Sequence, residues 1–322
     1  MANAKVVAPP KRQPSKRKSK SGSAGSKRKG RGKRRQIVKP GQYVFASVRV
    51  SHRRYLLRPT RPTKEAFKYI LAAMAQKWGV EIYAACVMSN HYHLVLRDVR
   101  GVQPDFFRDV NRMLAQFLKA QYGISGNVFR NKPNRVVLHH AAAVADKIAY
   151  TLANPVSAAA VRFPHEWPGF RTRIEDMGTT SFGGDRPEHF FGKRKTQPKD
   201  AATRLGFPDC LDSFYGSREV AVAALERSLE QHVHRAHAAV KAKGWKYLGA
   251  DRAQKVNPLK QAKSWEVFDA LVPAFATLGL TKDDAIAVKL EYIAFQLRYD
   301  ECRERFLAGE QGVLWPAGTW AM

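Results

Sequence analysis

The sequence predicts an α+β fold in which an antiparallel sheet is covered by helices on one face, followed by a mostly helical C-terminal extension. Two periodicities predict it: stretches that alternate every second residue, as strands do, and stretches with apolar spacings of three and four, as helices do. Residues 41–172 mix both patterns, whereas long helical patterns dominate residues 173–322. With 322 residues, 44% of them hydrophobic, the chain is long enough for one large domain or two smaller ones.

The elements of the first part follow one another in the order β-α-β-β-α-β-α. The predicted strands cover residues 41–50, 80–88, 91–98 and the end of 127–140. The predicted helices cover residues 63–78, 104–121 and 141–152. Ser89 and Asn90 supply turn chemistry between the second and third strands, and Asn154–Pro155 is expected to end the third helix. This order is close to the ferredoxin-like split β-α-β arrangement.

The sequence changes character past about Thr172. A stretch rich in Gly, Pro and charge runs to Phe207, and helical patterns then occur at residues 218–243, 264–277 and 282–307. We therefore divide the chain into a basic tail at 1–40, a mixed domain at 41–172 and the helical extension at 173–322. The basic run R-A-H-A-A-V-K-A-K-G-W-K in the extension is compatible with a module that clamps DNA or binds a partner, or with a structural cap on the sheet.

The charge of the chain indicates a polyanionic partner. The formal net charge is +29, which favours DNA, RNA or an anionic membrane. Residues 1–40 contain 15 Lys and Arg and no acidic residue, so the rest of the chain is also basic. We expect this tail to be disordered because it has almost nothing to bury. It is either a solubilising tail or a sequence-independent grip on phosphates, and we favour the grip.

The cysteine pattern and the hydropathy of the chain indicate a cytoplasmic protein. Three widely spaced cysteines without a C-x-x-C motif neither cross-link a fold nor build a zinc ribbon, and a reducing compartment suits them. No stretch of about 18 apolar residues occurs, and the N-terminus lacks the apolar region of a secretory signal. We expect a protein of the cytoplasm, associated with the nucleoid and not with a membrane.

A histidine pair on the third predicted strand is the first candidate for chemistry. Residues two apart on a strand project from the same face, so His91 and His93 lie side by side while Tyr92 faces the other way. Two such imidazoles can converge on one divalent ion, but a metal needs further ligands. His139 and His140 are conceivable zinc ligands, although neighbours on a strand face opposite ways, and an oxygen ligand is preferred.

The third predicted helix supplies that oxygen. Tyr150 and Asn154 are four residues apart and therefore share a helical face. Asn154 offers a carbonyl oxygen to a metal, and Tyr150 offers a phenolic oxygen as a nucleophile. Asp146, one turn before Tyr150, either orients the phenol or only solvates the helix.

These motifs together resemble a known signature. M-S-N-H-Y-H-L-V-L at 88–96, followed about 50 residues later by Y-T-L-A-N-P-V, resembles the single-tyrosine HUH transposases, particularly the REP-associated tyrosine transposases. The likeness covers roughly residues 41–169, including the W-P-G at 167–169. It implies a ferredoxin-like catalytic domain that binds Mg²⁺ or Mn²⁺ through His91, His93 and Asn154 and uses Tyr150 as its nucleophile. The third ligand varies in this family between an amide and a carboxylate.

The resemblance implies an enzyme that cleaves and rejoins single-stranded DNA at hairpin-containing repeats through a 5′-phosphotyrosine intermediate. The expected partner is single-stranded or hairpin DNA, and a homodimer with shared active sites is one option. The basic residues that flank the predicted sheet and could follow the DNA backbone are Arg49, Arg53, Arg54, Arg130, Lys132 and Arg135.

Two alternatives remain open at this point. One is a non-catalytic DNA-binding or regulatory protein derived from a transposase. The other is a replication initiator or relaxase with the same chemistry, although such proteins often contain a helicase domain and no Walker G-x-x-x-x-G-K-[ST] motif occurs in this chain.

Overall fold

The computed structural model describes residues 35–129, 133–187, 197–263 and 273–320. The strands in this part of the chain are β1 Gln42–Arg49, β2 Val80–Val87, β3 His91–Asp98, β4 Asn134–Leu138, β5 Ser181–Asp185, β6 Asp200–Arg204 and β7 Phe275–Ala276. The helices are α1 Arg61–Trp78, α2 Gln103–Tyr122, α3 Ala141–Ser157, α4 Asp209–Tyr215, α5 Arg218–Ala242, α6 Ala250–Lys255 and α7 Lys282–Leu307.

The main sheet has the topology that the element order predicts. Its strands lie in the order β2-β3-β1-β4, and each neighbouring pair is antiparallel. The connections β1-α1-β2 and β3-α2-β4 complete the β-α-β-β-α-β unit, so the predicted α+β, ferredoxin-like fold is confirmed. The predicted strands and helices of this unit agree with the observed ones to within about two residues, because their hydrophobic periodicity is strong.

A fifth strand makes the sheet mixed. The short strand β7 pairs in parallel with β4, with Val137 opposite Phe275 and Leu138 opposite Ala276. A helix was predicted at 264–277, and residues 264–272 of it lie outside the described residues. The prediction is wrong for Phe275 and Ala276, because these residues form the extended strand β7. Pairing with the exposed edge of β4 is a tertiary contact that local periodicity does not report.

The helices lie on both faces of the sheet. Tyr92 on β3 contacts α1 through the ring of Phe67, at a centroid distance of 5.2 Å, and its hydroxyl donates a hydrogen bond to Asn111 on α2 at 2.7 Å. On the other face, the ring of Phe45 on β1 meets that of Tyr150 on α3 at 5.6 Å. The prediction that the helices cover one face of the sheet therefore holds for α1 and α2. It is corrected for α3, which covers the opposite face. Strand β3 has buried side chains on both faces, so both faces need a cover.

Helix α3 continues through Pro155 to Ser157, past its predicted end. The imidazole of His140 caps its start, because Nδ1 accepts a hydrogen bond from the backbone N–H of Ala142 at 3.1 Å. Pro155 stands in the last turn, where it removes one backbone hydrogen bond without stopping the helix. This last turn is buried, so packing offsets the lost hydrogen bond.

The C-terminal part packs directly on the sheet domain. Strands β5 and β6 form an antiparallel hairpin against α1, where Gln76 donates a hydrogen bond to the carbonyl of Ala202 at 2.6 Å. This hairpin was not predicted, because S-F-G-G-D lacks strand alternation. The predicted long helices at 218–243 and 282–307 are confirmed as α5 and α7. Among the described residues, no helix is long and apolar enough to cross a bilayer.

The boundaries of the chain segments are only in part those predicted. Most of the predicted basic tail, up to residue 34, lies outside the described residues. Residues 35–40 are ordered against the C-terminal part: Tyr292 donates a hydrogen bond to the carbonyl of Arg35 at 2.9 Å, and Val38 donates one to Gly318 at 3.0 Å. The described residues from Arg35 onward form one compact unit, and the division at 172–173 stays a prediction.

Candidate active site

The two histidines of the M-S-N-H-Y-H-L-V-L motif lie on the sheet face that α3 covers. Strand β3 pairs with β1 so that His91 stands opposite Arg49 and His93 opposite Ser47. The two imidazole rings are 4.8 Å apart, centroid to centroid, and Tyr92 between them points to the other face. Strand alternation thus places both rings toward α3, as the spacing predicts.

The ring of His91 lies between two asparagine side chains. Its Nδ1 is 2.8 Å from Oδ1 of Asn90, in the turn before β3. Its Nε2 is 3.1 Å from Oδ1 of Asn154, on α3. A ring held at both nitrogens has a defined orientation, and the side of the ring that carries Nε2 faces the helix.

His93 is deeply buried beside it, with 5% of its surface exposed. Burial, and then the nearby His91 and Arg49 charges, lower the pKa of His93 well below its usual range, although a backbone contact to Ala46 acts in the opposite direction. The ring is therefore neutral, which is the form that binds metals. Within the described residues, its buried Nδ1 has no hydrogen-bond partner.

Tyr150 stands on α3 one turn before Asn154 and faces the histidines. Its ring is 5.5 Å from that of His93 and meets it edge to face. The ammonium group of Lys147 lies over the Tyr150 ring, 5.4 Å from its centroid. A cation at this position stabilises negative charge that develops on the phenol.

A carboxylate and a histidine lie behind this tyrosine. Asp146 is 2.9 Å from Nε2 of His232 on α5 and accepts a hydrogen bond from Lys147 at 2.9 Å. The hydrogen bond from His232 lowers the pKa of Asp146 to about 2, against the opposing effect of burial and with help from Lys147. The His232 ring also meets that of Tyr150 at 6.1 Å. Sequence patterns did not single out His232, because it lies on a long helix 82 residues after Tyr150.

The donor set of this site suits a divalent cation. His91 and His93 offer imidazole nitrogens, and the buried Asn154 offers an amide oxygen that already lies against His91. No group of three or more His, Cys, Asp or Glu side chains that could hold a metal occurs in the described ranges. An ion at this site would therefore depend on the asparagine, in a mixed nitrogen and oxygen set.

These residues open into a large cleft with a volume of about 1050 Å³. His91, His93, Tyr150 and Asn154 form part of its wall. Residues between 243 and 263, from the C-terminal part, form another part of the wall. The described lining includes several Lys and Arg residues and no Asp or Glu, so the cleft attracts anions.

Only some of the predicted DNA-binding residues line the cleft. Arg49 and Arg53 line the cleft. Arg54 does not line it, and its Nε is buried. Arg135 faces α2 on the opposite side of the sheet, where its guanidinium is 3.5 Å from Oε1 of Gln103 and burial lowers its pKa to about 10. The remaining two, Arg130 and Lys132, lie outside the described residues.

The cleft also contains residues that the sequence patterns did not single out. Lys243, Trp245, Lys260 and Lys263 also line it. The basic run at 235–246 was a signal for the first two, but it did not indicate which way the chain turns after α5. Only the tertiary contacts bring this run into the same cleft as Tyr150.

The fold and the site define a class of protein with a histidine pair on the central strand of a ferredoxin-like sheet and a tyrosine on the facing helix. Residues 43–121 match the family model described as "Transposase IS200 like". The match includes His91 and His93 and ends before Tyr150. It confirms the predicted resemblance to the tyrosine transposases.

One solved structure to which the chain is similar is entitled "Structure of the REP associates tyrosine transposase bound to a REP hairpin". The identity is 20%, the similarity covers 44% of this chain and 82% of that one, and the TM-score is 0.37. No curated protein matches the chain.

Proposed function

We propose that the protein is a metal-dependent tyrosine transposase that cleaves and rejoins single-stranded DNA at hairpin-containing repeats. One observation carries the proposal: His91, His93, Asn154 and Tyr150, from a strand and a helix, meet in one basic cleft. The family-model match over β1 to α2 supports the same class of reaction.

In this proposal His91, His93 and Asn154 hold one Mg²⁺ or Mn²⁺ ion. When bound, the ion supplies neutralisation of the charge that develops on the scissile phosphate. The low pKa of His93 keeps its ring available as a neutral ligand, and Asn90 holds the His91 ring in one orientation.

Tyr150 is the proposed nucleophile. Its Oη forms a bond to phosphorus while the bond from phosphorus to the 3′-oxygen breaks, and the departing oxygen takes up a proton to become a free 3′-hydroxyl. The DNA 5′ end stays linked to Tyr150. Attack by another 3′-hydroxyl on this link reverses the step and joins strands. A tyrosine phenol has an ordinary pKa of about 10, so the ammonium group of Lys147 over its ring assists loss of the proton.

The remaining segments have roles in DNA binding in this proposal. Arg49 and Arg53 contact the phosphates next to the scissile one, and the tail at 1–40 holds DNA without regard to sequence. The mixed domain at 41–172 supplies the chemistry, and residues 173–322 complete the cleft. The excess of positive charge supports a place on the nucleoid.

The test uses single-stranded oligonucleotides with a hairpin from DNA near the gene, labelled at the 5′ or 3′ end. Protein with Mn²⁺ is expected to form an adduct that resists SDS and keeps the label on the 3′ side of the cut. Tyr150→Phe is expected to form none. Tyr55→Phe is the matched control, because Tyr55 lines the same cleft, and it is expected to form the adduct.

Two results would contradict the proposal. An adduct that persists in Tyr150→Phe excludes this nucleophile. Mn²⁺ binding without an adduct on any single strand favours a non-catalytic DNA-binding protein derived from a transposase.

A further inference from the structure

We infer that Trp245 stacks on an unpaired base of the DNA strand that passes Tyr150, and that it forms a base-binding subsite supplied by the C-terminal part of the chain. The inference rests on the proposed function only in that single-stranded DNA occupies the cleft. It assigns to residues 243–263 a role in positioning the substrate.

The segment 245–263 is fastened to the sheet domain at both ends. Near its start, the N–H groups of Leu248 and Gly249 donate hydrogen bonds to the carbonyls of Ala159 and Ala160, both at 2.9 Å. Near its end, Ala262 donates a hydrogen bond to the carbonyl of Arg53 at 3.2 Å. The side chain of Ala253 between these points is fully buried. The segment is therefore a fixed wall of the cleft.

Trp245 differs from Trp167, which also lines the cleft. Trp167 is 6% exposed, and its indole N–H donates a hydrogen bond to the carbonyl of Val87 at 2.9 Å, so its role is in packing. Trp245 is 46% exposed and lines the cleft, although a large apolar ring gains stability from burial. Nearly half of its surface is therefore accessible to a flat partner.

The surroundings of Trp245 identify that partner. The ammonium group of Lys243 lies 4.4 Å from the centroid of the Trp245 ring, and Lys260 and Lys263 line the same wall. The described lining of this cleft contains no acidic residue, so its charged residues are cations only. Such a surface suits a ligand in which aromatic rings and negatively charged groups alternate along the chain. Single-stranded nucleic acid has this chemistry, because its bases stack on aromatic rings while its phosphates contact lysines.

Duplex DNA lacks the exposed base faces that such a ring requires. A duplex would contact the lysines through its phosphates and leave the Trp245 ring unused. The subsite therefore predicts a preference for unpaired strands that depends on one side chain.

The experiment measures binding without cleavage. The anisotropy of a labelled single-stranded oligonucleotide is followed with the full chain containing Tyr150→Phe, to which Trp245→Ala or Trp245→Phe is added. We expect Trp245→Ala to weaken binding about 10-fold or more, from the loss of one stacked base. Trp245→Phe is expected to stay within about threefold, since it retains a ring. Phe214→Ala, which removes an exposed ring outside the cleft lining, is expected to change nothing.

A second series locates the base. Single abasic positions are moved along the oligonucleotide, and one of them is expected to weaken binding as much as Trp245→Ala does and to add nothing in that variant. In the chain without Trp245→Ala, single strands are also expected to quench tryptophan fluorescence, and Trp245→Phe to lose most of that quenching.

Three results would overturn the inference. They are an unchanged affinity in Trp245→Ala, an equal loss of affinity for single-stranded and for duplex DNA in that variant, or fluorescence quenching that persists in Trp245→Phe. Because none of these measurements requires an adduct, failure of the subsite and failure of the proposed cleavage are distinguishable.

Discussion

Nε2 of His91 lies 3.1 Å from Oδ1 of Asn154, although the two residues are 63 positions apart in the chain. One belongs to a central strand and the other to the helix that covers it. The pair joins the histidine motif to the tyrosine motif, since Tyr150 stands one turn before Asn154 on the same helix. The strand and the helix therefore present one composite site.

Replacement of Asn154 is expected to change the affinity for Mn²⁺. Asn154→Ala removes an oxygen ligand and is expected to weaken binding about 10-fold or more, whereas Asn154→Asp supplies a charged oxygen and is expected to retain it. Asn90→Ala, which frees the other side of the His91 ring, is expected to cost about 10- to 100-fold. The signal of free Mn²⁺ in electron paramagnetic resonance measures each affinity. Equal affinities in the protein and in Asn154→Ala would exclude Asn154 as a ligand.

Two arginines on opposite faces of the sheet are expected to differ in DNA binding. Arg49 lines the cleft, and Arg135 faces α2. Arg49→Ala is expected to weaken binding of single strands and to reduce the slope of log K against log salt by about 0.7, which corresponds to one phosphate contact. Arg135→Ala is the control and is expected to leave the slope unchanged. Titrations of single-stranded DNA at several salt concentrations measure these slopes. A slope reduced in Arg135→Ala but not in Arg49→Ala would show that Arg135, and not Arg49, contacts a phosphate.

The stability of the protein is expected to depend on the ionisation of Asp146. Its pKa is about 2 in the folded chain, against about 4 when unfolded, so between these values the unfolded chain binds the proton more tightly. The contribution is thus fully present above about pH 4 and is lost as the pH falls toward 2. Its size is roughly 2 kcal/mol.

Asp146→Asn tests this dependence. The variant is expected to be less stable than the unmodified chain at pH 7, and the difference in the free energy of unfolding is expected to shrink as the pH falls from 4 toward 2. Urea denaturation at a series of pH values measures it. A difference that stays constant down to pH 2.5 would show that the ionised carboxylate does not stabilise the contact between α3 and α5.

Gly169 in the W-P-G motif is expected to tolerate no side chain. A Cβ at this position would overlap Nε1 of Trp167 and lie 3.0 Å from the carbonyl oxygen of Val87, which accepts the hydrogen bond from that indole. Gly169→Ala is expected to cost about 1–3 kcal/mol in the free energy of unfolding. In a Trp167→Phe background, which removes the indole nitrogen, the cost is expected to be smaller. Urea denaturation of the four proteins tests this coupling, and an unchanged cost in that background would contradict it.

Local patterns were sufficient for the part of the fold that repeats regularly. The predicted strands β1 to β3 and helices α1 and α2 agree with the observed ones to within about two residues, because their hydrophobic residues follow a strong local pattern. The end of α3 was misplaced, since Pro155 is an unfavourable helix residue that buried packing tolerates here. The β5–β6 hairpin was missed because its stability comes from α1 and not from its glycine-rich sequence.

By itself the sequence determined which side chains share a face: His91 with His93 on a strand, and Tyr150 with Asn154 on a helix. These relationships follow from backbone periods of 2 and 3.6 residues, which depend on no distant contact. Only the tertiary structure decided that the two faces meet, that Arg135 points away from them, and that Trp245 and His232 come from the C-terminal part to surround them. Such placements follow from the packing of elements far apart in the chain, for which no local period exists.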